Sequence, residues 1–163
     1  MTNGRKILIE TLIELAGKDE KVILIVGDVG FSFIDDFKVK FPKQFLNCGV
    51  MEQSMMGIAA GLANQGFKPW VYTMKNFIIL RPYEQLRNDI CYGNANVKLL
   101  GVGGSEAYKF LGMSHNLFGD EEERLLKNLP NLNIFFNKDK DEELLKMCLL
   151  DEYNRAGPAY FSI

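Results

Sequence analysis

The sequence is poor in the side chains that build metal centres and disulfide networks. Its 163 residues include one histidine, His115, and three cysteines, at positions 48, 91 and 148. A single histidine excludes most histidine-rich metal sites, and no two of the cysteines have the spacing of metal ligands. Because the cysteines are odd in number and lie in or beside apolar segments, we expect free thiols in a reducing compartment.

An excess of charge of one sign is also lacking. Nineteen Lys and Arg side chains are balanced by 21 Asp and Glu, for a net charge of −2. With no basic run, this balance argues against a nucleic-acid partner. Acidic clusters at residues 120–123 and 139–143 are interpreted as solvated helix starts. No segment is long and apolar enough to span a membrane, and the first residues lack the apolar region of a secretion signal, so we expect a cytoplasmic protein.

Short apolar segments alternate with helical patterns along the whole chain. This alternation predicts an α/β fold of three layers, with a mainly parallel sheet of about six strands and helices on both faces. Residues 105–120 show no clear period and are predicted to form a long loop. The predicted strands are residues 22–26, 45–47, 68–73, 97–102, 132–136 and 159–163, and the main predicted helices are residues 5–17, 51–65, 80–92, 121–129 and 140–153.

Ligands of such folds usually bind at the carboxyl ends of the strands. The loops at those ends are residues 27–31, 47–52, 73–77 and 103–115. None of them carries a Gly-x-Ser-x-Gly nucleophile elbow, a Gly-x-Gly-x-x-Gly fingerprint or a Walker phosphate loop. In the predicted helix 51–65, Gly57 and Gly61 indicate a close approach to neighbouring backbone, because glycine is otherwise unfavourable inside a helix.

Five segments, taken in order along the chain, carry the most distinctive motifs of the sequence. Residues 49–61 (GVMEQSMMGIAAG) and residues 76–85 (NFIILRPYEQ) resemble the glutamate-bearing helix start and the next helix start of the pyrimidine-binding domain of transketolases, which are thiamine-diphosphate enzymes. Residues 97–104 (VKLLGVGG), followed by residues 111–115 (LGMSH), resemble the next strand and its histidine loop. Leu129-Pro130-Asn131 and residues 158–161 match as well, so the resemblance covers nearly the whole chain.

The resemblance implies thiamine diphosphate as the cofactor and assigns roles to three residues. Glu52 matches the glutamate that hydrogen-bonds N1′ of the aminopyrimidine, which favours the imino tautomer that removes the C2 proton. Phe77 matches the aromatic side chain that stacks on the pyrimidine ring. His115 matches a histidine that faces the thiazolium ring and the substrate. Glu52 and His115 are therefore the predicted catalytic residues.

Three more residues are predicted near the cofactor on the same grounds. Asp28 matches a position beside the cofactor at the subunit boundary, Met51 directly precedes the glutamate, and Arg81 belongs to the second matched helix start. Asn116 departs from many relatives with small sugar substrates, which carry a second histidine after the first. This departure concerns the substrate class more than the cofactor.

The resemblance extends to one of the three domains of a complete transketolase. Residues 1–163 contain no Gly-Asp-Gly motif of the domain that binds the diphosphate through Mg²⁺, and they end at the last predicted strand. We therefore expect a pyrimidine-binding domain alone, without diphosphate-binding and C-terminal domains, as a separate subunit of a split transketolase. A diphosphate-binding partner chain would hold Mg²⁺, and two copies of each chain would assemble through the pyrimidine domains.

The implied activity is the transfer of a two-carbon unit on sugar-like carbonyl substrates, which this chain would not perform alone. Two alternatives stay open at the level of sequence. One is the β-type subunit of a 2-oxoacid dehydrogenase, although residues 80–85 (LRPYEQ) resemble the sugar-type relatives more. The other is a binding module that keeps the fold without catalysis, against which the presence of Glu52 and Phe77 argues.

Overall fold

The computed structural model describes residues 4–103 and 108–163. Its centre is a sheet of six strands in the order β2-β1-β3-β4-β6-β5, and every neighbouring pair is parallel. The sheet confirms the predicted α/β class, and all six predicted strands are present within one or two residues of their expected bounds. The strands are β1 Val22–Val26, β2 Phe45–Asn47, β3 Lys68–Met74, β4 Lys98–Val102, β5 Asn133–Phe136 and β6 Ala159–Ser162.

Helices cover both faces of the sheet and give the expected three layers. One core layer joins α1, α2 and α7 to the sheet through side chains such as Leu12, Phe37 and Leu149. The other joins α3, α4 and a π-helical segment to the opposite face through side chains such as Met55 and Ile90. The helices are α1 Gly4–Ala16, α2 Asp35–Lys40, α3 Glu52–Asn64, α4 Lys75–Ile79, α5 Tyr83–Gln85, α6 Glu121–Leu126 and α7 Glu142–Asn154, and the π-helical segment is Leu86–Tyr92.

The predicted helix over residues 80–92 is wrong in its start and its continuity. The structure begins a helix earlier, with α4 at Lys75, interrupts it around Arg81 and Pro82, and resumes with α5 at Tyr83. Proline has no N–H to donate and disfavours helical geometry in the residue before it, which accounts for the interruption. Arg81 therefore lies at a bend between α4 and α5 rather than on a regular helical face. The chain then continues into the π-helical segment.

The loop predicted over residues 105–120 also contains helical structure. A 3-10 segment runs over Lys109–Ser114 and is broken at Gly112, whose φ of 66° lies in the left-handed region that glycine adopts without strain. Residues 105–107 of this prediction lie outside the described residues. None of the helices in the described ranges is long and apolar enough to cross a membrane.

Two glycines of α3 do not have the role that the sequence suggested. Gly57 and Gly61 both face outward, and a Cβ atom added at either position would meet nothing within 4 Å. The expected close approach of backbone is therefore wrong within this chain. The opposite face of α3 carries the packing, because Met55 and Met56 are fully buried against the sheet.

A buried charge network lies at the amino edge of the sheet. Lys98, the first residue of β4, donates through Nζ to the carbonyls of Gly157 at 2.6 Å and Arg155 at 3.0 Å, and lies 3.3 Å from Glu152 Oε2. Glu152 Oε1 also accepts from Asn133 Nδ2 and Arg155 Nε, each at 2.9 Å. The network connects α7 to β4 through Lys98 and to β5 through Asn133.

Burial and hydrogen bonding act in opposite directions on the two buried charges. Burial lowers the pKa of Lys98 to about 8, although the nearby Glu152 carboxylate raises it. Burial also disfavours the ionised form of Glu152, but hydrogen bonds from Arg155 and Asn133 outweigh it and lower the pKa of this carboxyl group. Several partners therefore keep Glu152 in its ionised form. Among the described residues, Glu152 is the one carboxylate that pairs with Lys98.

Replacing Glu152 by glutamine should destabilise the fold. Glu152→Gln leaves the Lys98 ammonium buried without a compensating charge, so we expect the free energy of unfolding to fall by about 3 kcal/mol. Urea denaturation of the purified chain measures this change. The matched control is Asp151→Asn on the exposed side of the same helix, which should stay within about 0.5 kcal/mol of the unsubstituted chain. Equal stability of both variants would contradict the structural role of the network.

Candidate functional site

Glu52 occupies the first position of α3, at the carboxyl edge of the sheet. Its side chain is only 4% exposed, and Arg81 Nη1 donates to Glu52 Oε1 at 2.6 Å. The bend at Pro82 turns Arg81 toward this carboxylate. A carboxylate removed from water needs such a partner, because an uncompensated buried charge is strongly unfavourable.

Arg81 also contacts Phe77, and Phe77 contacts His115. The guanidinium carbon of Arg81 lies 3.6 Å from the centroid of the Phe77 ring, which is a cation–π contact. The rings of Phe77 and His115 meet edge to face, with centroids 5.1 Å apart and planes inclined by 67°. Glu52, Arg81, Phe77 and His115 thus form one continuous row of contacts, here called the edge cluster. The structure brings together four of the six residues singled out from the sequence.

Met51 joins the same site through an open cleft. A cavity of about 480 Å³ is lined by Val50, Met51, Glu52, Gln53, Ser54 and Arg81. Met51 is 54% exposed, and its backbone caps the start of α3. Glu52 is itself one of the lining residues, so the cleft borders the start of α3.

Asp28 lies apart from the edge cluster in the described contacts. It follows β1 with a φ of 54° and is joined to Asn47, at the end of β2, by two hydrogen bonds of 3.1 Å. Asn47 Oδ1 also accepts from the Gly49 backbone N–H at 2.9 Å. Through Asn47, Asp28 supports the turn that leads into Met51 and Glu52, which is a contribution to the shape of the site.

Two buried asparagines hold the histidine loop against the rest of the site. Asn76, beside Phe77 on α4, donates to the carbonyl of Ser114. Asn116 donates to the carbonyls of Tyr108 at 2.8 Å and Gly112 at 2.7 Å, and is only 2% exposed. Asn116, which stands where many relatives carry a second histidine, is therefore turned into its own loop. Sequence reasoning missed the role of Asn76, because an asparagine in a helix start has no distinctive pattern.

A partly buried cation lies two residues before Phe77. Lys75 Nζ donates to Ser162 Oγ at 2.7 Å and lies 3.7 Å from Glu122 Oε2, while the Tyr160 hydroxyl donates to Glu122 Oε1 at 2.5 Å. Burial lowers the pKa of Lys75, although Glu122 raises it. The interpretation of residues 120–123 as a solvated helix start is therefore wrong for Glu122, whose side chain is 17% exposed. This network fixes α4, and with it Phe77, to β6 and α6.

The described residues contain no group of three or more His, Cys, Asp or Glu side chains placed to hold a metal ion. The three cysteines are free thiols, as the sequence predicted.

The family described as "Transketolase, pyrimidine binding domain" matches residues 1–162. The chain therefore belongs to the transketolase pyrimidine-binding domain family.

Among individual relatives, the chain is similar to one subunit of the apulose-4-phosphate transketolase of Phocaeicola vulgatus, with 37% identity over 91% of this chain and 47% of the relative. It is 35% identical to 1-deoxy-D-xylulose-5-phosphate synthase of Bacillus cereus over 82% of this chain and 21% of that enzyme. The chain thus spans about half the length of the apulose-4-phosphate transketolase subunit, and a smaller part of the synthase.

Solved structures give the same grouping. A split-gene transketolase, described as an inactive β4 tetramer, superposes with a TM-score of 0.83 at 31% identity, over 98% of this chain and 50% of that one. The transketolase of Campylobacter jejuni superposes with a TM-score of 0.82 at 19% identity, over 98% of this chain and 25% of that one, and shares the fold.

Removing the Asn116 amide should loosen the histidine loop. Asn116→Ala loses two hydrogen bonds to the loop carbonyls, so we expect trypsin to cleave after the exposed Lys109 about tenfold faster, which corresponds to about 1.4 kcal/mol in loop opening. Limited proteolysis followed by mass spectrometry measures the rate. Asn154→Ala, which removes one exposed helical hydrogen bond far along the chain, should leave that rate unchanged. Unaltered cleavage in Asn116→Ala would show that other contacts hold the loop.

Proposed function

We propose that this chain is the pyrimidine-binding subunit of a thiamine-diphosphate-dependent enzyme of the transketolase type, and that it acts only with a diphosphate-binding partner chain. The reaction is the transfer of a two-carbon unit between sugar-like carbonyl compounds. Glu52 activates the cofactor and His115 faces the reacting groups. The observation that carries the proposal is the edge cluster, in which a buried carboxylate, a planar cation, an aromatic ring and the single histidine lie in contact.

The Glu52 carboxylate is oriented and still able to act on a ligand. Arg81 holds Oε1, and the hydrogen bonds of the described residues include none to Oε2. Because the side chain is almost fully buried, a ligand that presents an N–H to Oε2 makes a charge-assisted hydrogen bond without competition from bulk water. The proton that controls the cofactor is therefore held or released at Glu52 Oε2, while Arg81 fixes the direction of the group.

The residues of the site fit a flat, nitrogen-containing ring. The guanidinium of Arg81 is itself planar and carries N–H donors, and it is placed over the Phe77 ring and bonded to Glu52. The same pair of groups suits an aminopyrimidine, which also stacks and donates an N–H. Thiamine diphosphate supplies a reactive C2 carbanion when bound, and the protein supplies orientation and proton control. A ring that stacks on Phe77 must use the face opposite Arg81 or replace the guanidinium.

The partner chain is proposed to provide the other half of the cofactor site. Two apulose-4-phosphate transketolase relatives are subunits by their names, and one solved relative is a split-gene transketolase. The Gly-Asp-Gly motif for Mg²⁺ and diphosphate does not occur in residues 1–163. We assign Mg²⁺ to the partner, since a magnesium ion prefers one or two carboxylates together with phosphate oxygens. Residues 1–163 act as one pyrimidine-binding domain in this proposal.

Two other functions make different predictions. A β-type subunit of a 2-oxoacid dehydrogenase would also bind thiamine diphosphate, but it would use a 2-oxoacid as the donor. A non-catalytic module would not support exchange of the C2 proton. The similarity to a transketolase subunit and to a sugar-phosphate synthase favours the first proposal.

Calorimetry of thiamine diphosphate with Mg²⁺ tests the proposal directly. We expect no binding to this chain alone, and binding to its mixture with the product of a neighbouring gene that carries Gly-Asp-Gly. Phe77→Ala should weaken binding about tenfold by loss of stacking.

In the mixture, Glu52→Gln should keep the fold but reduce hydrogen–deuterium exchange at C2 to the rate of the free cofactor, because the amide cannot exchange the proton.

The controls lie at a distance from the edge cluster. Tyr92→Ala removes an exposed aromatic ring at the end of the π-helical segment, and Glu20→Gln removes an exposed carboxylate near the amino edge of the sheet. Both should keep binding and exchange unchanged. Normal exchange in Glu52→Gln would remove the catalytic assignment, and absence of binding in the mixture would favour a non-catalytic module.

Self-association through α3 is a second part of the proposal. Gly57 and Gly61 lie on an exposed face of the helix beside Ile58, which is 38% exposed, and nothing in the described part of this chain covers the two glycines. Each glycine costs about 1 kcal/mol relative to alanine in a helix interior. This cost is offset when a second copy packs closely against the bare backbone, so we place the contact between pyrimidine domains on this face.

An arginine at Gly57 should prevent that contact. We expect Gly57→Arg to shift the chain from an oligomer to a monomer without lowering its stability as a monomer, since the side chain enters open space and arginine favours helices more than glycine. Analytical ultracentrifugation measures the change, and Met147→Arg on the exposed face of α7, in the opposite helical layer, serves as the control. An oligomer that persists in Gly57→Arg places the contact elsewhere.

A further inference from the structure

The hydroxyl of Ser114 lies between a backbone carbonyl and the imidazole of His115. Ser114 Oγ donates to the carbonyl of Leu111 at 3.1 Å, and the same oxygen lies 2.7 Å from His115 Nδ1. Both distances are those of hydrogen bonds. The arrangement therefore constrains where the protons are.

A serine hydroxyl has one proton, and a carbonyl can only accept. If the hydroxyl proton is directed to the Leu111 carbonyl, the contact with His115 is a hydrogen bond only when Nδ1 carries a proton and donates it to Ser114 Oγ. The alternative, in which the hydroxyl donates to Nδ1, leaves its contact with the Leu111 carbonyl without a proton. The directed chain from Nδ1–H to Oγ–H to the carbonyl satisfies both contacts.

The backbone around this chain of hydrogen bonds is held from two sides. Asn76, which is buried on α4, donates to the carbonyl of Ser114 itself. Asn116, the next residue after the histidine, is anchored to the carbonyls of Tyr108 and Gly112. Ser114 is exposed, but the peptide units before and after His115 are fixed by buried amides. The short contact between Oγ and Nδ1 is therefore a built feature of the loop.

We propose that Ser114 is a positioning residue that holds neutral His115 in the tautomer with its proton on Nδ1. Nε2 then carries a free electron pair, and the hydrogen bonds of the described residues include none to it. The histidine is thus set to accept a proton or a hydrogen bond at Nε2, rather than to donate one. The inference rests on the proposed function only for the identity of the group that meets Nε2.

The choice of tautomer decides what His115 can do at the site. With the proton on Nδ1, a neutral imidazole beside Phe77 acts as a base or as an acceptor toward a hydroxyl group, such as those of sugar-like substrates. With the proton on Nε2, the same ring in the same position would be a donor. Loss of the Ser114 hydroxyl would therefore change Nε2 of His115 from an acceptor to a donor without moving the edge cluster.

Nuclear magnetic resonance of the imidazole measures the tautomer directly, because His115 is the only histidine in the sequence. In the ¹⁵N-labelled chain with the ring neutral, two-bond ¹H–¹⁵N correlations distinguish the protonated from the unprotonated nitrogen. We expect the Nδ1–H pattern to dominate in the unsubstituted chain. In Ser114→Ala, the pattern should shift to Nε2–H, and Ser114→Thr, which keeps the hydroxyl, should retain Nδ1–H.

The matched control is Ser32→Ala, since none of the hydrogen bonds of the described residues uses the Ser32 hydroxyl. It should leave the ring pattern of His115 unchanged. An Nε2–H pattern in the unsubstituted chain would overturn the proposal, as would a ring pattern that stays the same in Ser114→Ala. If Ser114→Ala fails to fold, the comparison of the unsubstituted chain with Ser114→Thr still decides, because an Nε2–H pattern in either one contradicts the assignment.

A result that contradicts the role of Ser114 can be distinguished from a result that contradicts the proposed function. The tautomer is read on this chain alone, without cofactor, partner or activity. An Nδ1–H histidine in a chain that binds no thiamine diphosphate in the mixture would keep the assignment of Ser114 and remove the enzymatic role. Cofactor binding with an Nε2–H histidine would do the opposite.

Discussion

The ion pair between Glu52 and Arg81 is the constraint on which the site depends. Glu52 begins a helix at the edge of the core and is almost fully buried, so its carboxylate requires a partner that the fold brings to it. Arg81 reaches it because the chain bends before Pro82, and the same guanidinium then lies over Phe77. One cation thereby aligns the carboxylate with the aromatic ring, and the rest of the edge cluster follows from their positions.

The fold gives this pair a rigid base. Each element that carries a site residue follows a strand of the central parallel sheet, and α4 is also tied to β6 and α6 by the partly buried contacts of Lys75 with Ser162 and Glu122. At the opposite edge, the Lys98–Glu152 network secures α7 to the strands. Polar networks at both edges of an apolar core restrict how the layers slide, because every displacement would leave a buried charge without its partner.

The sequence predicted the architecture well, because continuous apolar runs such as residues 22–26 indicate strands buried on both faces. It also named the four residues of the edge cluster, through a resemblance that local pattern alone would not supply. The roles that it missed depend on contacts between distant segments. No local sequence pattern distinguishes Asn76 or Ser114 from surface residues. A glycine in a helix, such as Gly57, predicts a close contact, but the sequence does not show whether the contact lies within the same chain. Glu122 likewise reads as solvated until Tyr160 and Lys75 are placed beside it.

The two outer strands of the sheet have a consequence for how copies of the chain can assemble. β2 has three residues and β5 has four, so each offers only a few unpaired backbone groups to another chain. Short edge strands are a common protection against the growth of a continuous sheet across molecules. Indiscriminate addition of strands from other copies is therefore disfavoured, even at high concentrations of the chain.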